Sequence, residues 1–381
     1  MTTSIMNKPV YFSFPDTPVA RVFHQIRTTA SDRTLLQRQL GYSQASITRH
    51  VASLMEAGLV EEVSAANQEE SRTGRPRITL GIDGGHLTAW GAHVGVSSTE
   101  IVVCDVGGRI IRQRRLPLAT KKLAPEDHLR TVSHELERLS VGLPQPVDVG
   151  IAFSSHVNHH GFVDSSEYGW HDINVCSLLS EIFNRSVSVS TGVLAMAGAE
   201  ISDTPLAADR REAPLLPSTL YFYAREIVNH AWIFNGVVHR PHSGKAPSIY
   251  RPETPSHASP LSVSGIIDEA TAQGLRTSSF ADLVRHSQHC TPIKELFRAR
   301  AEALGDAVAA AVEFVDPEVV VFAGEAFTLD PDTLRVTVSR VRHTAHPGAQ
   351  LRIHNAGRNI LQRAASQVAL SRFRNDPLLF S

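Results

Sequence analysis

The sequence predicts an α/β chain in two parts: a short helical head, then a longer body in which strands and helices alternate. Three observations carry this. Apolar residues near the N-terminus recur at helical spacing. Two short β-like runs follow, joined by a polar segment that contains Gly-Arg-Pro. Beyond residue 80, apolar runs of strand length alternate with amphipathic or alanine-rich helical stretches.

The head opens with Val19, Val22, Phe23 and Ile26 at i, i+3, i+4, i+7, the stripe of a helix that Pro18 can start. A second helix is predicted over Asp32–Leu40, with Ser31 or Asp32 as N-cap and Leu35, Leu36 and Leu40 turned inward. Gly41-Tyr42 makes the turn, and Ser43 caps a third helix whose inner face is Ile47, Val51, Leu54 and Met55. Gly58 ends that helix. Leu59–Val63 and Ile78–Ile82 read as a strand pair around the polar segment Ser64–Arg77. Helix, turn, helix and a strand pair with a basic tip form the pattern of a winged helix-turn-helix, whose third helix enters the major groove. Its outward face here carries Ser43, Gln44, Ser46, Thr48, Arg49 and His50, side chains that hydrogen-bond base edges or phosphates, with no acid among them. Arg72, Arg75 and Arg77 lie on a thin Gly-Arg-Pro arm suited to the minor groove or to phosphates.

The body continues with strands at Thr88–Val96, Glu100–Cys104 and Ile110–Leu116, a helix over Leu129–Leu139 and a buried strand at Val147–Phe153. Val187–Val189 leads into a small-residue helix, Leu194–Glu200. Strands follow at Thr219–Ala224 and Ala231–Phe234, then a helix over Ala299–Val315, a strand at Val319–Ala323 and a final helix over Leu361–Arg372.

Composition narrows the function classes. The formal charge of the 381 residues is −1, so the chain is not basic throughout; residues 1–80 hold nine Lys/Arg against seven Asp/Glu, and the basic surface is local. Three separated cysteines, Cys104, Cys176 and Cys290, make neither a disulfide framework nor a thiolate zinc site. Without an apolar run of membrane length or a signal-peptide core, the expected location is the cytoplasm. The histidine clusters His156/His159/His160 and His239/His242 lack the helical spacing and carboxylate that zinc enzymes show, so no metal and no cofactor are expected.

The order of elements and several segments resemble the ROK family of repressors, open reading frames and sugar kinases, and within it the repressor branch similar to Mlc and NagC. The matching stretches are Ser43–Val60 with Thr73–Pro76, Gly91–Ile111, Gly150–Trp170, Val187–Glu200 and Ala303–Gly324. The resemblance implies a winged helix on a two-lobed, actin-like or ribonuclease-H-like body. It divides the chain into a DNA-binding domain with its linker (1–80), a first lobe (81–190 plus 361–381) and a second lobe that carries dimerisation (191–360).

The kinase positions depart from the family. Its Asp-x-Gly-Gly-Thr phosphate turn reads His93-Val94-Gly95-Val96-Ser97 here, and its Asn-Asp catalytic pair falls on Thr191-Gly192, where glycine cannot accept a proton. Its second phosphate loop reads Arg225-Glu226-Ile227-Val228-Asn229-His230-Ala231, and its zinc cysteines are missing. The expectation is therefore a regulator without kinase activity, a repressor of carbohydrate or related metabolism. It would bind a pseudo-palindromic operator as a homodimer or a dimer of dimers. A small-molecule effector would meet His93, Glu167, Trp170, Thr191, Arg225 and Glu226. The alternatives are a protein-interaction module, or control by a protein partner rather than a sugar; an enzyme of altered chemistry would have only Glu167 or Glu226 as base.

Overall fold

A computed structural model of the chain describes residues 9–63, 78–206, 217–241, 261–277, 279–344, 348–354 and 359–380. The head forms where local chemistry places it. Thr17 caps α1 (Pro18–Thr28), accepting from the Ala20 amide, and Asp32 caps α2 (Arg33–Leu40), accepting from the Leu35 amide at 2.7 Å. Gly41 takes φ +68°, the left-handed stop that a side chain would resist, and Ser43 then caps α3 (Gln44–Glu56). Ile47, Val51 and Leu54 of α3 are buried as expected, whereas Met55 is half-buried. The antiparallel pair β1 (Val60–Val63) and β2 (Thr79–Ile82) completes the wing, with Val60 opposite Ile82. The arginine arm at 72–77 falls outside the described residues.

The first lobe is built on a five-stranded sheet. Its antiparallel meander is β3 (Thr88–Val94), β4 (Thr99–Asp105) and β5 (Ile110–Leu116). Helix α4 (Pro125–Leu139) crosses over to β6 (Pro146–Phe153), which lies parallel to β3. A hairpin, β7 (Phe162–Ser165) and β8 (Trp170–Asn174), and helix α5 (Val175–Phe183) precede β9 (Ser188–Thr191) and the small-residue helix α6 (Gly192–Ser202). The sheet order is β5-β4-β3-β6-β9. Every residue of β3 and β4 is buried, because both faces of the sheet are covered.

The second unit repeats this order. Strands β10 (Thr219–Ala224), β11 (Val228–Phe234) and β12 (Val237–Val238) form the meander, followed by α7 (Val263–Ala272), α8 (Phe280–Ser287) and α9 (Thr291–Val315). Then come β13 (Val319–Ala323), α10 (Glu325–Thr328), α11 (Pro331–Thr344) and β14 (Gln350–Ile353). The sheet order β12-β11-β10-β13-β14 matches that of the first sheet position for position.

The chain returns to the first lobe through α12 (Ile360–Ala369) and α13 (Ser371–Asn375), so the single final helix expected over Leu361–Arg372 is two pieces. The return depends on a glycine pair. Gly91 of β3 and Gly150 of β6 are register partners. A Cβ on Gly91 would lie 2.7 Å from the Ala365 carbonyl, and one on Gly150 2.2 Å from the Ala369 nitrogen. The backbone of α12 rests directly on that strip of sheet. Residues 1–215 and 361–381 accordingly form one unit and 216–360 the other. This division falls after α6, which packs on β6 and β9, where the sequence reading places the lobe boundary at 190/191.

Candidate nucleic-acid interface

On α3, Ser43, Gln44, Thr48 and Arg49 are exposed, and Ser46 and His50 are half-buried. The Ser43 hydroxyl has a structural task as well, accepting from the Ser46 amide at 3.2 Å. The next acid on this helix is Glu56, its last residue, so the first three turns offer only donors and neutral polar groups. Burial and the neighbouring Arg49 push the His50 imidazole below its ordinary value, which makes it a neutral hydrogen-bonding group near pH 7.

Behind this face, α1 is buried on all sides from Ala20 to Ile26, polar residues included. Val22 and Ile26 are core residues, and Phe23 meets Phe373 of α13 edge to face at 5.5 Å. Gln25, fully buried, donates to Gln39 of α2 at 3.0 Å and accepts from the Leu206 amide at 2.9 Å. His24 is bonded through Nε2 to the Thr204 carbonyl at 2.9 Å. The polar side of α1 is therefore matched to the loop after α6, and the head is joined to the first lobe by directed bonds. Sequence spacing shows the apolar stripe of α1 and no sign of this second buried face.

The kinase-like positions are filled. His93 is fully buried, and a Cβ on Gly192 would lie 2.7 Å from its Nε2 and 3.1 Å from the Phe153 carbonyl. The imidazole occupies the space a side chain at 192 would need. Thr191 is buried, and its hydroxyl accepts from the Val157 amide at 3.0 Å. Trp170, expected to line an effector site, is 1% exposed and packs against Tyr168, Phe153 and His128; it is a core residue. Glu167 is exposed at the β7–β8 turn, accepting from the Ser165 hydroxyl at 3.1 Å. In the second unit Arg225 is buried and paired with Glu325, Nε to Oε1 3.2 Å, while Glu226 is half-buried. Burial opposes the Arg225 charge, but Tyr223, Glu325 and Glu226 outweigh it and hold the guanidinium above its ordinary value. This ion pair lies at the first residue of Arg225–Ala231, the segment that the sequence reading sets against the family's second phosphate loop. Among the described residues no cluster of His, Cys, Asp and Glu could hold a metal, and no helix is long and apolar enough to cross a membrane.

No family model matches the chain. It is 30% identical over 405 aligned residues to the transcriptional regulator Rv0485 of Mycobacterium tuberculosis, covering 97% of this chain and 89% of that one. Its fold is similar to that of a ROK family transcriptional regulator described as a homologue of the E. coli MLC protein. That likeness has a TM-score of 0.71 at 15% identity over 95% of this chain and 97% of the other. A ROK family glucokinase from Streptomyces griseus, solved with glucose and AMPPNP, matches 74% of this chain and 98% of its own at TM-score 0.59 and 16% identity. The kinase thus matches a body-sized share, the regulator nearly all of the chain. The chain belongs to the ROK family, in its transcriptional-regulator branch.

Proposed function

We propose that this regulator binds a pseudo-palindromic operator as a homodimer and represses transcription, with α3 in the major groove and Arg72, Arg75 and Arg77 on the adjacent minor groove or phosphates. The observation that supports this best is the exposed, acid-free face of Gln44, Thr48 and Arg49 on a helix whose opposite side buries Ile47, Val51 and Leu54. Its capped N-terminus also favours a phosphate, through free amides and the helix dipole. The buried His93 and the paired Arg225 support a body that has exchanged ATP chemistry for a structural and regulatory role. Carbohydrate or related metabolism is the proposed field of control.

The test is genome-wide mapping of bound DNA followed by salt-controlled gel shifts on the sites recovered. Arg49→Ala should weaken a specific site by about ten-fold or more at unchanged stability, the loss of one base-directed arginine. Equal binding by the variant, or the absence of any specific site, refutes the reading.

A further inference from the structure

Where the head meets the first lobe, a cavity of about 410 Å³ is lined by four arginines, Arg27, Arg109, Arg363 and Arg374, against one carboxylate, Asp203. The arginines come from different elements. Arg27 is on α1 of the head, Arg363 and Arg374 are on α12 and α13, and Arg109 follows the turn between β4 and β5. Arg109 is served by Asp105, Nε to Oδ2 3.1 Å. Of the other three, Arg363 pairs with Asp203, and Arg27 lies 3.7 Å from the same carboxylate. Ser202, at the end of α6, contributes its carbonyl to Arg27 and its hydroxyl to Arg374 at 2.9 Å. Gln367 accepts from Arg374.

These acceptors do not suffice. The Arg27 side chain is 8% exposed, and the buried Nε atoms of Arg27 and Arg374 have no hydrogen-bond partner among the described residues. Burial and mutual repulsion depress both groups, Arg27 to about 10, and Arg374 is likewise held well below its ordinary value. The turn is shaped to admit them: Gly108 has φ +97°, and a Cβ there would lie 2.7 Å from a terminal nitrogen of Arg374. A second cavity of about 440 Å³ shares Arg27, Gly107 and Arg109 and is edged by Asp83 and Asp105. The positive field is therefore confined to the Arg27–Arg363–Arg374 side. Clustered guanidinium groups that share one carboxylate, two of them buried with an unpartnered Nε, are what an oxyanion with several acceptors satisfies.

We propose that this cavity is a binding site for a compact multivalent oxyanion, a phosphate ester or a polycarboxylate, which ties the head to the lobe. The anion would compete with Asp203 for Arg27 and Arg363, so its occupancy would shift how α1 is held against α12 and α13. The effect on DNA, as distinct from anion binding itself, rests on the regulator reading above. The site shares no residue with the kinase-like positions.

The test uses the full chain with inorganic phosphate, pyrophosphate and citrate, each compared with sodium chloride at equal ionic strength. At least one probe should raise the melting temperature by about 3 °C or more at saturating concentration. Arg363→Gln should weaken its Kd by calorimetry by about ten-fold, while Arg298→Gln, on α9, leaves it unchanged. If Arg363→Gln does not fold, Asp203→Asn takes its place: it removes the carboxylate the anion must displace and should tighten the Kd by a comparable factor. Preference among the probes separates phosphate from carboxylate. Melting temperatures that follow sodium chloride alone, or equal binding by Arg363→Gln and Arg298→Gln, overturn the site. In the second arm, operator affinity at fixed ionic strength should change about three-fold or more with the effective probe, and not in the arginine variant. An unchanged affinity overturns the coupling and leaves the site standing. Absence of operator binding without any probe fails the regulator reading, and the coupling with it, while calorimetry still decides the site.

Discussion

Gly192 and His93 test whether the kinase-like position is filled rather than merely mutated. A Cβ at 192 meets His93 Nε2 at 2.7 Å, against the 3.4 Å where ordinary contact begins, so a fully buried ring must yield by about 0.7 Å. Overpacking of that kind costs roughly 1–3 kcal/mol. In a His93→Ala background the remaining close contact is the Phe153 carbonyl at 3.1 Å, and Gly192→Ala should then cost less than about 1 kcal/mol. His93→Ala alone is also destabilising, through the cavity it leaves, and a double-mutant cycle removes that contribution. The assay is urea unfolding read by tryptophan fluorescence, since Trp90 and Trp170 both report the first unit. The coupling expected is about 1–2 kcal/mol in favour of the double variant. Equal cost of Gly192→Ala in both backgrounds would refute the steric conflict between the two.

Further predictions concern packing, protonation and DNA contact. Gly150→Ala forces a Cβ to within 2.2 Å of the α12 backbone and should cost about 3 kcal/mol or more, while Gly85→Ala, with nothing within 4 Å, stays near wild type; thermal unfolding of both decides. Burial depresses His24 and His128 from 6.5 to about 4, so the unfolded chain binds more protons between those values and stability falls as pH drops from 6.5 toward 4. Burial raises Asp148 from 3.8 to about 6, and its penalty is relieved over nearly the same window. His230 is depressed to about 4 in the same way, so the net is two protons, a loss of about 2.7 kcal/mol per pH unit between about pH 6 and 4.5, which His128→Gln should halve in denaturation series. As a base-directed residue, Arg49→Ala should relax sequence preference at its base pair and leave the salt slope of operator binding nearly unchanged, measured by titration from low to moderate salt.

Local chemistry leaves the clearest record in the sequence. The caps Asp32 and Ser43, Pro18 at a helix start and Gly41 at a helix stop act within a few residues, so spacing alone places the three head helices. The strands of the first meander and β10 and β11 of the second are legible for the same reason, as apolar runs bounded by turns, whereas the two-residue β12 is not. So is the candidate DNA face, because a helix with an apolar inner side must show its remaining residues to solvent. The hairpin β7–β8 and helices α5, α7, α8 and α11 leave a weaker signal. Helix α11 mixes charged residues into its repeat, and Trp170 on β8 resembles a cleft residue until its packing is seen.

What the tertiary structure decided is what depends on residues far apart in sequence. That α1 is buried on both faces follows from Gln25 and His24 meeting residues 204–206, some 180 positions away. That Gly91 and Gly150 form one groove follows from strand register, and their partner lies beyond position 360. His93 and Gly192 read singly as two losses; only their contact shows one side chain replacing the space of another. Arg27, Arg363 and Arg374 carry no motif at all. Sequence by itself determined three capped head helices and an alternating α/β body that departs from the kinase pattern, because helix periods, caps and the residues at motif positions are local facts. The arginine cavity and the filled catalytic position came only with the fold, since packing and electrostatics depend on distance through space.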